Sequence, residues 1–348
     1  MQAAWRAATL CAALLAVAAC GGPGAGENPA AAARADEKLV VYSSRNEQLL
    51  APVLARYLEV SGVHVQYATD DAGVLIERIR AEGSNSPADL LITVDAGTLG
   101  YAASLDLFQP LGSQVVRANI PSHLRDPDGL WAGLSLRART IVHSTERVAP
   151  GELSTYSALA DARWRGRLCL RTSKKVYNQS LVAMLISQIG EAATEKVVSG
   201  WVANLALPPA SNDTMLMEAI IGGQCDVGIV NSYYFGRLQQ SNPSLPLALF
   251  WPDQQAGEGG VHVNVAGAGI LRHAPHPVAA RKFLEWLTGN DAQVIFAGVN
   301  QEYPVNPATA VDATVATWGK FRASELPLAE AWRLQPAAVK LMDRAGYR

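Results

Sequence analysis

From Lys38 onward the chain alternates between two hydrophobic periods, and that alternation limits its fold more than any other feature. In "KLVVYSSRNEQLLAPVLARYLEVSGVHVQYAT" a short apolar strand runs into a Ser-Ser turn. A helical stripe of Leu49, Leu50, Val53, Leu54 and Tyr57 follows. Gly62 ends the helix, and "VHVQYA" alternates as a second strand. "DAGVLIERIRAEGSNSPADLLITVDAGTLGYAASLDLFQPL" repeats helix, turn, strand and helix. The same order returns in "GRLCLR", "NQSLVAMLISQIG" and "AIIGGQCDVGIVNSYYFGRLQ". Strands and helices in alternation predict an α/β architecture with a largely parallel sheet. Residues 38–348 suffice for two lobes rather than one. "LWAGLSLRARTIVHS" reads as extended chain crossing between lobes and "HVNVAGAGIL" as the return, with "RKFLEWLTGNDAQVIFAGV" as paired helices after it.

The first residues, MQAAWRAATLCAALLAVAAC, carry one positive charge at Arg6, then an apolar stretch, then small residues ending in Cys20. This is the pattern of a secretory signal peptide over residues 1–19, shorter than a spanning helix requires. The ending Val17-Ala18-Ala19-Cys20 resembles a bacterial lipobox, which makes Cys20 the lipidation site; ordinary cleavage after an alanine is the alternative. Residues 20–37, rich in Gly, Ala and Pro, read as a lipidated tether between membrane and domain. The expected location is therefore periplasmic or extracytoplasmic. A formal charge of −2 offers no basic excess for nucleic acid. Of the remaining cysteines, Cys169 and Cys225 each sit in or at the start of an apolar run. In an exported protein they are expected to form one disulfide between neighbouring strands, rather than stay as two buried thiols.

Four strand-to-helix junctions carry the unusual residues: "VVYSSRNEQ" (40–48), "LSLRART" (134–140), "RTSKKVYNQS" (171–180) and "VNSYYFGR" (230–237). Loops at the carboxyl ends of strands are where α/β proteins bind ligands. Tyr177, Tyr233 and Tyr234 are expected to converge there with two or three arginines: Arg45, Arg137 and, as an optional third, Arg139. The alternative is that one of Arg137 and Arg139 faces solvent or pairs with an acid. Phenols titrate near 10 and become ligands when a strongly charged, hard cation displaces the proton. Three phenolates neutralise a trivalent ion. Zinc or copper would prefer His and Cys, and calcium would need carboxylates at a spacing the chain lacks. The donor set points to ferric iron. Asp95 reads as a helix cap, and Asn231 as the anchor of the turn that presents both tyrosines. Lys174 and Lys175 read as solvated. His123, His143, His262, His273 and His276 are scattered without ligand spacing. Ser173-Lys174 has the residue types of a nucleophile and its base. No G-x-S-x-G motif surrounds it, and catalysis is not expected.

The order "YSSR", "SPADLLITVDAG", "LRAR", "YNQS", "CDVGIVNSYY" and "EYPVNP" resembles the periplasmic ferric-iron-binding proteins of ABC transporters. These are FutA/FbpA-like members of the bacterial extracellular solute-binding protein family 1. The branch typified by the cyanobacterial FutA proteins is the most similar, from about Lys38 through the "WGKF…LMDRAGY" tail. The resemblance implies the two-lobed periplasmic-binding-protein fold of type II, each lobe a mixed, mainly parallel sheet flanked by helices, with a cleft between. The lobes are expected over 38–137 plus 262–305 and over 138–261 plus 306–348. It implies Fe3+ as transported ligand, Tyr177, Tyr233 and Tyr234 as phenolate ligands, and Arg137 as the holder of carbonate or another synergistic anion, with Arg45 a second candidate. Where family members carry His or His-Tyr after "YSSR", this chain has Asn46-Glu47. Asn is a poor donor to ferric iron, so Glu47, water or an anion is left to complete the shell. An ABC permease with its ATPase is the implied partner, and a monomer the implied state. The rival reading is a protein of the same fold for an organic oxyanion or a polyamine.

Overall fold

The computed structural model describes residues 38–348; the expected signal peptide, the lipid site at Cys20 and the tether lie outside them. The chain opens with β1 (Leu39–Ser43), α1 (Glu47–Ser61), β2 (Val65–Thr69), α2 (Ala72–Glu82), β3 (Leu90–Thr93), α3 (Ala96–Ser104) and α4 (Gln114–Asn119). As its spacing predicts, α1 buries Leu50, Val53, Leu54 and Tyr57. Asn46 caps its start, accepting from the Gln48 amide at 2.9 Å, and Gly62 closes its end at φ 73°. Leu49, from the same stripe, turns instead to the cavity described below.

A long strand, β4 (Trp131–Ser144), leads into β5 (Leu168–Cys169), α5 (Val176–Ile189), α6 (Glu191–Ala203) and α7 (Asp213–Ile221). Then come β6 (Val227–Asn231), α8 (Ser232–Ser241) and β7 (Leu247–Phe250). The chain returns along β8 (His262–Ile270) to α9 (Pro277–Thr288) and α10 (Asn290–Asn300), the paired helices read from the sequence. It ends with α11 (Ala313–Ala316) and α12 (Leu328–Arg344).

The strands form one sheet in the order β2-β1-β3-β8-β4-β6-β5, with β7 also on β4. Parallel pairing holds at the outer strands, β1 with β2 and β3, and β5 with β6. The inner pairs β3–β8, β8–β4, β4–β6 and β4–β7 are antiparallel. The largely parallel sheet in each lobe is thus confined to the flanks. The lobes share one sheet because β4 and β8 pass between them in opposite directions. One apolar core gathers residues of β1–β3 and α1–α3 with those of α9 and α10. Two others lie on the second half of the chain, around α5–α6 and around α7–β6. The last helix, α12, packs on both α3 and α5. A Cβ at Gly100 would stand 2.2 Å from the Trp332 ring, so the helices meet this closely only over glycine.

The expected disulfide is present: Cys169 on β5 bonds Cys225, two residues before β6, with Cα atoms 6.0 Å apart. On the loop after β7, Asp253 has φ 58° and accepts from the Tyr156 amide at 3.2 Å. Burial, then the nearby Glu258 carboxylate, pushes its pKa up to about 6. A carboxyl raised on folding contributes stability below its unfolded pKa of about 4 and loses it as pH rises through 6. Asp253→Asn keeps the acceptor, tolerates the left-handed backbone and removes the charge. It is expected to stabilise the protein by about 1 kcal/mol at pH 7, discounted for partial exposure, and not at pH 4. Denaturant melts at the two pH values check this.

Candidate functional site

A cavity of about 190 Å³ opens where the turn after β1, the middle of β4 and the starts of α5 and α8 come together. The β1–α1 turn contributes Ser44, Arg45 and Asn46, and Val94 follows β3. Arg137 comes from β4, Tyr177 from the first turn of α5, and Tyr233, Tyr234 and Arg237 from α8. Glu302, just after α10, completes the wall.

The two neighbouring tyrosines share a site because β6 stops at Asn231 and helix begins at Ser232. On a helix, adjacent side chains are about 100° apart rather than on opposite faces. Their rings stack at 4.4 Å and 30°. The Arg237 guanidinium lies 4.9 Å from the Tyr233 ring centre and 5.9 Å from that of Tyr234. Tyr177 has Arg137 and Arg171 each at 5.2 Å. Burial, then the neighbouring Tyr177 and Tyr234, raise the Tyr233 pKa well above the ordinary phenol value, and Arg137 opposes them. Tyr233 is therefore a neutral phenol in the metal-free protein at pH 7.

The arginines are held from behind. Arg45 pairs with Glu302, donates to Ser135 Oγ at 3.2 Å and lies 5.1 Å from the Phe296 ring centre. Arg137 donates to the Val94 carbonyl. Nη2 of Arg237 and Nε of Arg45 are buried and find no acceptor among the described residues. Three guanidinium groups against one carboxylate make the cavity electropositive, and orphaned donors call for an anion.

The cavity thus brings together Tyr177, Tyr233, Tyr234, Arg137, Arg45 and Asn46. It does not include Glu47, whose carboxylate accepts from the Tyr67 hydroxyl at 2.7 Å. Nor does it include Arg139, which is buried behind the wall against Asp213. Asp95 caps α3 through the Thr98 amide. Asn231 receives Arg139 through its side chain and gives its amide to Asp213. Lys174 and Lys175 are exposed. Buried His262, its pKa pushed down to about 3 by burial and the charges of Arg139 and Arg137, stays neutral.

Three residues escaped the sequence reading. Arg237 is one turn beyond the tyrosine pair in the quoted "VNSYYFGR", and Arg171 opens the quoted "RTSKKVYNQS"; helical spacing and position were the available signals. Glu302 lies inside "EYPVNP", with nothing local to mark it. Among the described residues no cluster of His, Cys, Asp and Glu could hold a metal. The described helices include none long and apolar enough to cross a membrane.

Two α/β regions joined by crossing strands, with a polar cavity where they meet, define a receptor for a small solute. The chain belongs to the bacterial extracellular solute-binding proteins, whose family model matches residues 85–324. It is 42% identical over 326 residues to Iron uptake protein A2 of Synechocystis sp., covering 92% of this chain and 93% of the relative. The solved structure of Trichodesmium FutA in complex with iron and citrate superposes with a TM-score of 0.84 at 38% identity, over 90% of this chain and all of that one. Apo FutA2 from Synechocystis PCC6803 gives 0.83 at 44% identity, over 89% and 99%.

Proposed function

We propose that this protein captures ferric iron outside the cytoplasmic membrane and delivers it to an ABC permease. The observation that carries the reading is the meeting of three phenols in one small electropositive cavity that offers no His or Cys donor. Tyr177, Tyr233 and Tyr234 would hold the ion as phenolates, a hard donor set matched to a hard trivalent cation. Arg137 and Arg45 would seat carbonate or a similar anion, with Arg237 as a third donor. The iron-related names of the relatives agree with this choice. The lobes, 38–137 plus 262–305 and 138–261 plus 306–348, would close on the ion by bending β4 and β8. Ferric citrate added to purified protein tests the reading: a visible phenolate-to-iron band is expected, and its absence at saturating metal would refute it.

The three arginines also favour one rival, an organic oxyanion, and argue against a polyamine. Such a ligand would raise the melting temperature without metal and give no visible band.

Asn46 sets a further expectation. Its side-chain oxygen already caps α1, so it is not offered to a metal, and Glu47 is turned to Tyr67. The rest of the shell then falls to an anion or water. Ferric affinity is expected to depend strongly on added carbonate, citrate or phosphate, and less so in Asn46→His. Titrations of both proteins in anion-depleted buffer check this; equal dependence would count against it.

A further inference from the structure

Arg139 is buried to 1% exposure, out of reach of any solute in the cavity, yet every nitrogen of its guanidinium is engaged. Nε donates to Asn178 Oδ1 at 2.9 Å. Nη1 donates to Asp213 Oδ2 at 3.2 Å and to Asn231 Oδ1 at 3.3 Å. Nη2 donates to the Ile229 carbonyl at 3.1 Å. Asp213, itself 0% exposed, also accepts the Asn231 amide at 2.9 Å. On its other side it pairs with Arg171 at 3.5 Å, and the Arg171 guanidinium faces the rings of Tyr177 and Tyr234.

The places reached by these bonds are what matters. Asn178 directly follows Tyr177, and its amide group ties back to the carbonyls of Arg171 and Thr172 at 2.8 and 2.9 Å. Asn231 is the cap position of α8, immediately before Ser232 and the tyrosine pair. One planar fork therefore fastens the start of α5 and the start of α8 to each other, and those two helix starts carry all three phenols. We infer that Arg139, acting with Asp213 through Asn178 and Asn231, is the positioning residue that sets Tyr177, Tyr233 and Tyr234 in one array. This rests on the phenolate reading for its purpose, but its geometry is independent of any bound ion. A buried ion pair serving only stability is the alternative, and it predicts no selective effect on the tyrosines.

Four variants separate the two: Arg139→Gln, Arg139→Lys, Asn178→Ala and, as a control, Val198→Ala, which thins the buried core of α6 without touching the fork. Tyrosine ring resonances are read by NMR on metal-free protein, and release from ferric citrate-loaded protein to a hydroxamate chelator is timed. In Arg139→Gln the resonances of all three tyrosines are expected to move, and release to quicken by about tenfold, the scale of coupled buried contacts. Arg139→Lys should not rescue either, because a point charge cannot make the fork's bonds. Asn178→Ala, the mildest change, should move Tyr177 alone, and it keeps the test alive if Arg139→Gln does not fold. Val198→Ala should lower the melting temperature and leave the resonances in place. Parental resonances and parental release in Asn178→Ala and in the folded Arg139 variants would overturn the inference. A parent with no visible band would instead refute iron capture, while moved resonances would still support the positioning role.

Discussion

Replacing either member of the stacked pair, Tyr233→Phe or Tyr234→Phe, is expected to leave a folded protein that has lost most of its hold on ferric iron. Phenylalanine keeps the ring and its 4.4 Å stacking partner and removes one ligand oxygen. Loss of a partner one shell further out costs metal sites about 10–100-fold, so loss of the ligand itself should exceed about 100-fold. The pH dependence supplies a second readout. Each phenol that ionises on loading releases a proton, so affinity falls as pH drops, by about one decade per pH unit per phenol. The raised Tyr233 pKa keeps this dependence in force through neutral pH. The parent should approach a slope of about three and either Phe variant about two. Competition with a chelator between pH 5.5 and 8 measures both quantities, and unchanged affinity and slope in both variants would reduce the tyrosines to packing.

Breaking the disulfide should have the largest effect on stability. Cys169 and Cys225 are 56 residues apart; closing a loop of that length restricts the unfolded chain by an amount worth about 4 kcal/mol in the entropic account. Native bridges usually deliver about 2–4 kcal/mol. The double variant Cys169→Ala/Cys225→Ala is expected to lose that much in urea melts at neutral pH. The bridge joins β5, two residues before Arg171, to the entry of β6, so ferric release should also quicken. A stability loss under about 0.5 kcal/mol would show that the fold holds these strands without it.

Local pattern made much of this molecule legible. The apolar stripe of α1, its Gly62 stop, the Asp95 cap and the paired helices α9 and α10 follow from spacing and cap chemistry, which act within a few residues. The tyrosines were legible because strand-to-helix junctions in such folds gather at one edge. Where the reading stopped, the deciding contact was distant in sequence. Glu302 matters through Arg45, 257 residues away. Arg137 and Arg139 lie two apart on one strand and share a face. Register places one opposite Asn264 and the other opposite Asn231, so one lines the cavity and the other lies behind it. Glu47 is the first helical residue of α1, and only the position of β2 explains why it meets Tyr67 instead of the cavity. The return crossing of β8 is legible in the sequence, but its pairing with β3 and β4 is not, because a period-two pattern marks a strand without its neighbour.

That return strand has a consequence for the order of assembly. β3 takes its inner neighbour from residues 262–270, so the first lobe to leave the ribosome cannot complete its own sheet. It must wait, with the inner edge of β3 bare, until the chain has been made as far as residue 270 of 348. Pairings of such long sequence separation form slowly, and an incomplete sheet with an open edge is poorly protected. Slowness of this kind would suit any chain exported before it folds, since a domain unable to close early stays threadable during passage through a narrow channel.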